Sequence, residues 1–377
     1  MKNKYIFSPV RVIIFLIVAA IVIGGGYFFS DKIESVINPE TIKEGSLEDI
    51  KEGDLQLHYI YVGQGDCTAI KLPDGKTMLI DAGEETDAEL IMTYLDGVFF
   101  DNGKQVIDYF VITHTDLDHI GGAVKLLETY DIKTVYRPMV TSKTEEDTAG
   151  VLEVTTKAWD KTVAAFAHAD NVVTIEKDLA IEYVDAQDAT NSYSFTFYGP
   201  VEDYYSDTND YSPIMVLENN NKKYMFTGDA SDSIEKDFLD AYSSMLAEFD
   251  VDVLKAGHHG SNTSSCEEFL DVVKPEYAII SCGIDNKYGH PHNEVISAFE
   301  EAQAQILRTD VSGSILLYNS GDDIKYIADF FEPAEYHIEW WYIASGIMAI
   351  TAVVCFYPKS KVKRMARKAA KEAYKNK

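Results

Sequence analysis

The chain has 377 residues, of which 46% are hydrophobic and 25% charged, which is enough for one large core or two smaller ones. Its formal charge is −29, but residues 1–30 and 336–377 are basic, so the remaining 21 basic and 60 acidic residues give the middle a net charge of about −39. Such a surface repels polyanions and leaves no basic footprint for nucleic acid, which counts against a protein that binds DNA along its surface.

The first predicted element is a membrane-spanning helix over residues 12–29, an uncharged run of 18 residues that follows three basic ones. About 18 apolar residues is the shortest run expected to cross a bilayer. A cleaved signal peptide is the competing interpretation, but the run is long for a signal core and no small-x-small site precedes Ser30. Residues 1–11 then form a cytoplasmic amino terminus, and the polar residues 30–54 form a tether.

From Leu55 onward, short apolar runs alternate with turn residues and with segments of helical periodicity. The predicted strands cover residues 55–62, 67–72, 77–80, 106–112, 134–136, 180–184, 194–198, 214–218, 224–227, 251–255, 277–281 and 314–318. The predicted helices cover residues 84–95, 122–130, 233–246, 264–273 and 294–301, with a further helix within 151–169. Strands interleaved with helices predict one layered α/β domain over residues 55–330.

The strand predicted over residues 106–112 is followed by the densest polar cluster of the chain. His114, Asp116, Asp118 and His119 lie within six residues. Imidazoles and carboxylates at a strand end are what Zn²⁺, Mn²⁺ or Fe²⁺ require. A polar turn with a capping aspartate is the alternative, but it does not explain four potential ligands at such spacing. The cluster predicts a metal site.

Three further polar clusters follow predicted strands. Asp229 comes directly after residues 224–227, His258 and His259 come after 251–255, and His290 and His292 come after 277–281. A carboxylate at the first of these positions is suited to bridging two metal ions. The repeated coincidence of strand ends with ligand types strengthens the prediction of a metal site.

The cysteines are less informative, because none has the C-x-x-C spacing of a metal site. Cys355 lies in the second apolar run described next. Cys266 and Cys282 form either a bridge in an oxidising compartment or two buried thiols, and both interpretations stay open.

A second membrane-spanning helix is predicted over residues 340–357, again uncharged and 18 residues long, with aromatic residues at both edges. Nine basic residues follow in the tail over 358–377. Because positive residues stay on the cytoplasmic side, both termini are predicted in the cytoplasm and the acidic domain outside the cell. A buried core helix is the alternative interpretation of residues 340–357. Because the basic tail follows directly after a predicted membrane span, the membrane surface is the expected partner of the tail.

Six motifs occur in an order and spacing that resemble the metallo-β-lactamase superfamily, and more closely the extracellular hydrolase domain of ComEC-like competence proteins. They are the segments 62–66 (VGQGD), 79–83 (LIDAG), 113–122 (THTDLDHIGG), 227–229 (TGD), 254–261 (LKAGHHGS) and 288–292 (YGHPH). The resemblance implies an αββα sandwich with metals at one edge, between the two sheets. Two single transmembrane helices flank it here, where ComEC-like proteins carry a many-helix channel.

The resemblance also implies one or two divalent metal ions. The first site would comprise His114, Asp116 and Asp229. The second would comprise Asp118, His119, Asp229 and His258. Because Asp116 stands where the superfamily usually has histidine, the expected preference shifts from Zn²⁺ toward Mn²⁺ or Mg²⁺. Asp81 would orient one of the ligands rather than bind the metal.

The implied mechanism is hydrolysis by a metal-activated water, with Asp118 orienting that water or accepting its proton. His290 or His292 would polarise a phosphate oxygen or protonate the leaving group. Asn209, His259 and Ser261 are candidates for substrate contact. For the three histidines a packing role is the equal alternative.

Taken together, the chain is expected to be a membrane-anchored, extracellular, metal-dependent hydrolase of a bacterial cell, most simply a phosphodiesterase or nuclease that acts on DNA. One alternative keeps the hydrolase and makes its substrate a small ester, a lactam or an envelope phosphodiester. Another is a binding module without turnover in an uptake or envelope assembly. The sequence indicates no particular protein partner.

Overall fold

The computed structural model describes residues 45–100, 105–145, 151–320 and 323–328. They all belong to one compact unit that spans residues 41–332. Among the helices of these residues we find no candidate for a membrane span. The two spans predicted at residues 12–29 and 340–357 lie outside the described residues, as do the amino terminus, most of the tether and the basic tail.

Seventeen strands occur in the described residues. They are β1 (Gln56–Tyr59), β2 (Thr68–Lys71), β3 (Thr77–Ile80), β4 (Val106–Val111), β5 (Asp131–Arg137), β6 (Val140–Ser142), β7 (Leu152–Val154), β8 (Asn171–Thr174), β9 (Leu179–Tyr183), β10 (Tyr193–Phe197), β11 (Met215–Asn219), β12 (Lys222–Phe226), β13 (Val253–Lys255), β14 (Tyr277–Ile280), β15 (Gln305–Arg308), β16 (Ile315–Ser320) and β17 (Asp323–Ile327).

Eight α-helices occur in the same residues. They are α1 (Ala88–Tyr94), α2 (Leu117–Ile120), α3 (Ala123–Thr129), α4 (Lys157–Ala165), α5 (Asp232–Ala241), α6 (Glu267–Val273), α7 (Asn293–Glu301) and α8 (Thr309–Ser312). Short 3₁₀ turns lie at Leu47–Asp49, Glu85–Asp87, Phe166–His168, Ala189–Asn191, Asn209–Tyr211, Leu246–Phe249 and Gly257–Gly260, and a π turn at Leu95–Phe99.

The strands form two large sheets. The first has the order β17-β16-β1-β2-β3-β4-β5-β8 and the second β15-β14-β13-β12-β11-β10-β9. In each sheet one half is antiparallel and the other parallel, with β3, β4, β5 and β8 parallel in the first and β12 to β15 parallel in the second. Because the carboxyl ends of parallel strands meet at one edge, the loops after β3, β4, β12, β13 and β14 gather there.

The side chains alternate between two apolar layers because successive residues of a strand point to opposite faces. In β14, Tyr277 and Ile279 enter the core between the sheets, whereas Ala278 and Ile280 join the core under α5, α6 and α7. A third core packs α1, α3 and α4 on the outer face of the first sheet. The result is a mixed α/β sandwich with helices outside both sheets, as the resemblance implies.

The helix predicted within residues 151–169 is shorter than that range. Residues 152–154 form β7 instead, and α4 begins only after Thr156, whose hydroxyl accepts a hydrogen bond from Trp159 N at 3.2 Å. β-branched residues at 154–156 favour the strand, and threonine is a favoured N-cap. The pairing left open for Cys266 and Cys282 is resolved in favour of free thiols.

Candidate metal centre

The predicted ligand clusters meet at the edge between the sheets. Four buried side chains there each offer a ligand atom, and these atoms lie within 4.8 Å of one another. They belong to Asp66, His119, Asp229 and His259. His119 comes from the loop after β4 in the first sheet, whereas Asp229 and His259 follow β12 and β13 in the second. Both sheets therefore contribute to the centre.

Asp81 fixes the orientation of His119. Its Oδ2 lies 2.7 Å from Nδ1 of His119, and its Oδ1 accepts a hydrogen bond from Thr113 N at 2.9 Å. Because Nδ1 donates to this carboxylate, the lone pair of the imidazole is on Nε2. That atom faces Oδ1 of Asp229 at 3.2 Å. Asp81 thus occupies the outer position that the resemblance implies for it.

The main chain fixes the orientation of His259. Its Nδ1 donates to Ser281 O at 3.0 Å, which leaves the Nε2 lone pair directed at the centre. This Nε2 lies 3.3 Å from Asp118 Oδ2 and 3.6 Å from Asp229 Oδ2. Asp66 lies on the opposite side of the ring, with Oδ1 3.8 Å from Nδ1. Asp118 therefore lies on the Nε2 side of the His259 ring, which faces the centre, and Asp66 lies on the Nδ1 side, which faces away from it.

The donor spacing suits a metal ion. The Nε2 atoms of His119 and His259 are 3.3 Å apart. Two nitrogen ligands bound at about 2.1 Å to a tetrahedral ion lie roughly 3.4 Å apart. Since both Nδ1 atoms already donate, two neutral rings would direct lone pairs at each other. A cation between them, with carboxylates around it, removes that conflict, so these residues could hold a divalent ion.

Electrostatics lead to the same conclusion. Burial opposes the charged form of His119, but Asp229 and Asp81 outweigh it and raise the pKa of His119 well above its ordinary value. Burial likewise opposes ionisation of Asp118, yet the hydrogen bond with His259 and the charge of His119 lower its pKa to about 2. The carboxylates of the centre thus require a positive charge, which protons on the imidazoles supply when no metal does.

His258 and His259 owe their different directions to an unusual backbone. Both have positive φ, 48° and 55°, and Gly260 follows with φ 81°. Non-glycine residues rarely adopt this region, and such strain clusters at functional sites. A side chain at Gly260 would place its Cβ 2.6 Å from Cβ of Pro291. The turn is therefore closely packed and brings Nε2 of His258 and of His259 to 3.7 and 3.6 Å from Oδ2 of Asp229.

His114 and His258 also approach Asp229. Nε2 of His114 is 3.8 Å from Oδ2 of Asp229, and Nε2 of His258 is 3.7 Å from the same atom. Within the described residues, the buried Nε2 of His114 has no hydrogen-bond partner. Burial, followed by the charge of His119, lowers the pKa of His114 to about 4, so its ring is neutral. These atoms outline a second, looser position.

The geometry distributes the predicted ligands differently from the assignment that the resemblance implies. Asp118, His119 and Asp229 come together as expected, but His259 rather than His258 belongs to the group of mutually close ligand atoms. Asp116 is further out, with Oδ1 accepting a hydrogen bond from Thr208 Oγ1 at 3.0 Å. Burial raises the pKa of its carboxyl group.

The predicted catalytic histidines line the approach to the centre. The ring of His290 stacks on that of His259 with centroids 6.3 Å apart, and it lies 4.9 Å from that of His292. Nδ1 of His292 accepts a hydrogen bond from Asn262 N at 3.0 Å. Burial, followed by the charge of neighbouring histidines, lowers the pKa of His290 to about 4.

The two remaining substrate candidates are Ser261 and Asn209. Ser261 is buried, and its Oγ accepts a hydrogen bond from Thr263 Oγ1 at 3.0 Å. Asn209 begins a 3₁₀ turn that leads to Ser212, whose Oγ is 3.3 Å from Nδ1 of His114. Asn209 is therefore connected to His114 through the turn and the hydroxyl group of Ser212.

The pair of Asp66 and Lys255 was not predicted as part of the site. Both side chains are buried, and Nζ of Lys255 donates to Oδ2 of Asp66 at 2.8 Å. Burial opposes ionisation of Asp66, but Lys255 and His259 outweigh it and lower its pKa. A signal was present, since a lysine ending an apolar, buried strand requires a carboxylate partner.

Comparisons with known proteins find a family model and several relatives that match the sequence of this chain. Residues 60–284 match the model of the metallo-beta-lactamase superfamily. ComE operon protein 3 of Bacillus subtilis is 28% identical over 70% of this chain and 33% of its own length. Recombination protein 2 of Haemophilus influenzae is 27% identical over 69% and 28%. Competence protein ComA of Neisseria gonorrhoeae is 36% identical over 32% and 17%.

The similar solved structures are more distant in sequence. YhfI of Bacillus subtilis, a metallo-β-lactamase fold protein, has a TM-score of 0.40 and 11% identity, covering 67% of this chain and 95% of that one. Zn²⁺-bound PqqB of Methylobacterium extorquens has a TM-score of 0.39 and 11% identity, with 65% and 85% covered.

The chain spans 33% of the length of ComE operon protein 3 and 28% of that of Recombination protein 2. Those relatives are ComEC-like competence proteins, as the motifs in the sequence indicate. The family model covers well over half of the chain and the whole of the candidate centre. The chain therefore belongs to the metallo-β-lactamase superfamily.

Proposed function

We propose that the chain is a metal-dependent phosphodiesterase whose substrate is DNA. The observation that carries this proposal is the pair of Nε2 atoms of His119 and His259, 3.3 Å apart and both beside the carboxylate of Asp229. Each ring is oriented by a hydrogen bond at Nδ1, as is usual for histidines that bind metals. Most members of the superfamily are metal-dependent hydrolases, which supports turnover at this centre.

Two groups of residues would hold the ions. The tighter group consists of Asp118, His119, Asp229 and His259. The looser group is His114 and His258 with Oδ2 of Asp229, and Asp116 stands near it. When bound, a divalent ion would lower the pKa of a coordinated water and offset negative charge on a phosphoryl group. Two imidazoles with carboxylates suit Zn²⁺ or Mn²⁺, while the oxygen of Asp116 favours Mn²⁺ or Mg²⁺ at the looser position.

The protein residues would position the reactants and move protons. Asp118 is ionised at neutral pH and only partly buried, so it can orient an attacking water and accept its proton. His290 is neutral at that pH and would donate an N–H bond to a phosphate oxygen. His292, one ring further out, is the better placed to reach the leaving group.

DNA is proposed as the substrate because of the relatives. One of them is named a competence protein and another a recombination protein. Both names concern DNA, which supports a nucleic-acid phosphodiester as the substrate. The charge of about −39 over residues 31–335 opposes long-range binding of DNA, so affinity must come from the centre itself and from its immediate surroundings.

A metal and substrate screen tests this function. The purified full chain is stripped of metal, reconstituted with Mn²⁺, Zn²⁺ or Mg²⁺, and assayed on single- and double-stranded DNA, bis-p-nitrophenyl phosphate and a β-lactam. We expect DNA and the phosphodiester to be cleaved, with a loss of at least about 100-fold in Asp118→Asn. Asp271→Asn, at an exposed carboxylate on α6, is the matched control and keeps full activity.

The other outcomes of this screen separate the alternatives. Metal-loaded chain that leaves DNA intact but cleaves the small phosphodiester would contradict the nuclease and favour an envelope substrate. Cleavage of the lactam alone would point to that chemistry. A chain that binds metal and turns over none of these substrates would be a binding module.

We also propose that residues 12–29 and 340–357 anchor the domain, with both termini in the cytoplasm. The uncharged runs, their aromatic edges and the basic tail support this topology. Protease added to intact cells should remove the domain but protect an epitope placed after Lys377. Digestion of that epitope in intact cells, or release of the chain from membranes by alkaline carbonate, would overturn the proposed topology.

A further inference from the structure

A groove leads away from the candidate centre over the surface of the first sheet's helices. It encloses about 840 Å³, and Asp116 and Asp118 line the end that adjoins the centre. The other end is lined by residues of α3 and α4, among them Lys125, Lys157 and Lys161. Any extended substrate that reaches the centre from this side must lie in the groove.

The lysines of α4 face the groove because the other side of the helix is buried. Trp159 is fully buried, and the guanidinium of Arg137 lies 5.0 Å from its ring. Lys157 and Lys161 are four residues apart, so they lie one above the other on the exposed side. The fold thereby presents two ammonium groups in line with the centre.

These two lysines are available for a ligand. Lys125 pairs with Glu89 at 3.3 Å and Lys143 with Asp160 at 2.6 Å, but no described carboxylate lies within ion-pairing distance of Lys157 or Lys161. The groove is not basic throughout, since Glu84, Glu85 and Glu128 line it too. The lysines of α4 are therefore a local positive feature on an acidic protein.

An exposed aromatic ring stands where the groove reaches the centre. Tyr288 is 52% exposed, and its ring stacks on that of His290 with centroids 5.5 Å apart and planes 23° apart. Nζ of Lys287 lies 4.8 Å from the same ring. A large exposed ring held flat by a neighbour is a suitable surface for a second flat group.

We infer that the groove binds a single strand of nucleic acid, with its phosphates against Lys157 and Lys161 and an unpaired base on Tyr288. Aromatic rings and cationic side chains along one groove are how proteins bind single strands without reading sequence. Bases inside a duplex stack on each other and offer no free face to Tyr288. The inference rests on the proposed phosphodiesterase function and narrows its substrate to unpaired strands.

This arrangement also explains how a strongly acidic chain binds a polyanion. Beyond roughly one Debye length, about 8 Å at physiological ionic strength, the net charge of the protein is largely screened. At shorter range, a phosphate that lies against α4 is closest to the ammonium groups of Lys157 and Lys161. Binding is then local and sensitive to salt.

Direct binding tests the inference separately from turnover. The probe is a short fluorescein-labelled oligothymidine, and its anisotropy is followed as the full chain is titrated in detergent. The Lys157→Gln, Lys161→Gln double variant should raise Kd at least about threefold and reduce the slope of log Kd against log salt by about 1.4, since each phosphate contact to a single strand contributes about 0.7. Tyr288→Ala should raise Kd at constant salt slope.

The control removes the same charge elsewhere. Lys177 and Lys236 are exposed and lie outside the groove, so the Lys177→Gln, Lys236→Gln variant should bind as the unmodified chain does. Equal weakening in both double variants, tighter binding of a blunt duplex than of the single strand, or no binding by the unmodified chain would each overturn the inference. Binding with this pattern but without cleavage would overturn the phosphodiesterase alone.

Discussion

The Nε2 atoms of His119 and His259 lie 3.3 Å apart although the Nδ1 atom of each ring already donates a hydrogen bond. No arrangement of two neutral rings satisfies both Nε2 atoms. Either one ring carries an extra proton, or a cation lies between them. Variants of these and neighbouring residues should therefore separate metal ligands from residues that only surround the metal.

The two adjacent histidines of the left-handed turn should differ in their effect on metal binding. His259→Ala should lower the affinity for the first ion by at least about 100-fold. Loss of a metal ligand should weaken binding more than loss of an outer partner, which typically costs about 10- to 100-fold in metal affinity. His258→Ala should lower it less than about tenfold. Both positions have similar positive φ, so backbone strain is matched. Equal losses in metal titrations of the two variants would contradict the assignment.

Asp81 should act on the metal through His119. Asp81→Asn should weaken metal binding about 10- to 100-fold with little change in secondary structure, because His119 loses the partner that fixes its tautomer. Asp108→Asn is the control, since Asp108 accepts hydrogen bonds from N and Oγ1 of Thr77 as Asp81 does from Thr113. Calorimetric titration of both variants measures the difference, and an equal effect would count against a role for Asp81 at the metal.

The free energy of unfolding of the metal-free chain should fall as the pH rises, whereas the stabilisation added by metal should grow. Against the opposing effect of burial, nearby carboxylates raise the pKa values of His119 and His259 above the ordinary 6.5 in the metal-free chain. Their stabilising effect is complete below 6.5 and is lost as the pH rises through the folded-state values. Metal requires the deprotonated rings, so its stabilisation grows over the same range.

Urea unfolding at pH 6 and pH 8 measures this contrast. With a chelator the free energy of unfolding should fall between the two pH values, and with Mn²⁺ or Zn²⁺ the increment over the chelated chain should rise. Burial raises the pKa of Glu235 to about 7, so this carboxyl group titrates in the same range with or without metal, and the metal increment is the quantity compared. The lowered pKa values of Asp118 and Asp229 place their titration well below pH 6. A metal increment independent of pH would contradict histidine ligation.

Replacing Lys255 alone should destabilise the fold more than replacing both Lys255 and Asp66. Lys255→Met leaves a charge buried without a partner and should cost about 3–5 kcal/mol, most of it regained when Asp66→Asn is added. Lys222→Met is the control, because the pair of Lys222 and Asp252 is more exposed and should contribute about 0–1 kcal/mol. Denaturant unfolding in chelator provides the four values, and a double variant no better than Lys255→Met would contradict the pairing.

Most of the fold could be predicted from the sequence because its strands are buried and short, with clear turn residues between them. β4 and β14 coincide with predicted strands to within one residue. Five strands escaped prediction: β6 and β7 form a two-stranded sheet of their own, and β8, β15 and β17 lie at the edges of the large sheets. Edge strands face solvent on one side, as the exposed pattern of β8 illustrates, so the apolar periodicity that identifies a strand is weak.

The centre could be predicted in outline but not in detail. Polar residues directly after apolar runs locate the ligand loops, and this signal is local. The choice between His258 and His259 depends on two left-handed residues in succession, which no propensity of histidine indicates. The contact of Lys255 with Asp66 joins residues 189 positions apart, and single-sequence patterns carry no information on such distances.

The contribution of ligands by both sheets has a mechanical consequence. The described chain crosses from one sheet to the other only twice, between β8 and β9 and between β15 and β16. An ion held by His119 on one side and by Asp229 and His259 on the other would join the two layers at a third point, much as a cross-link does. Force applied to pull the layers apart would then meet a barrier that a chelator removes.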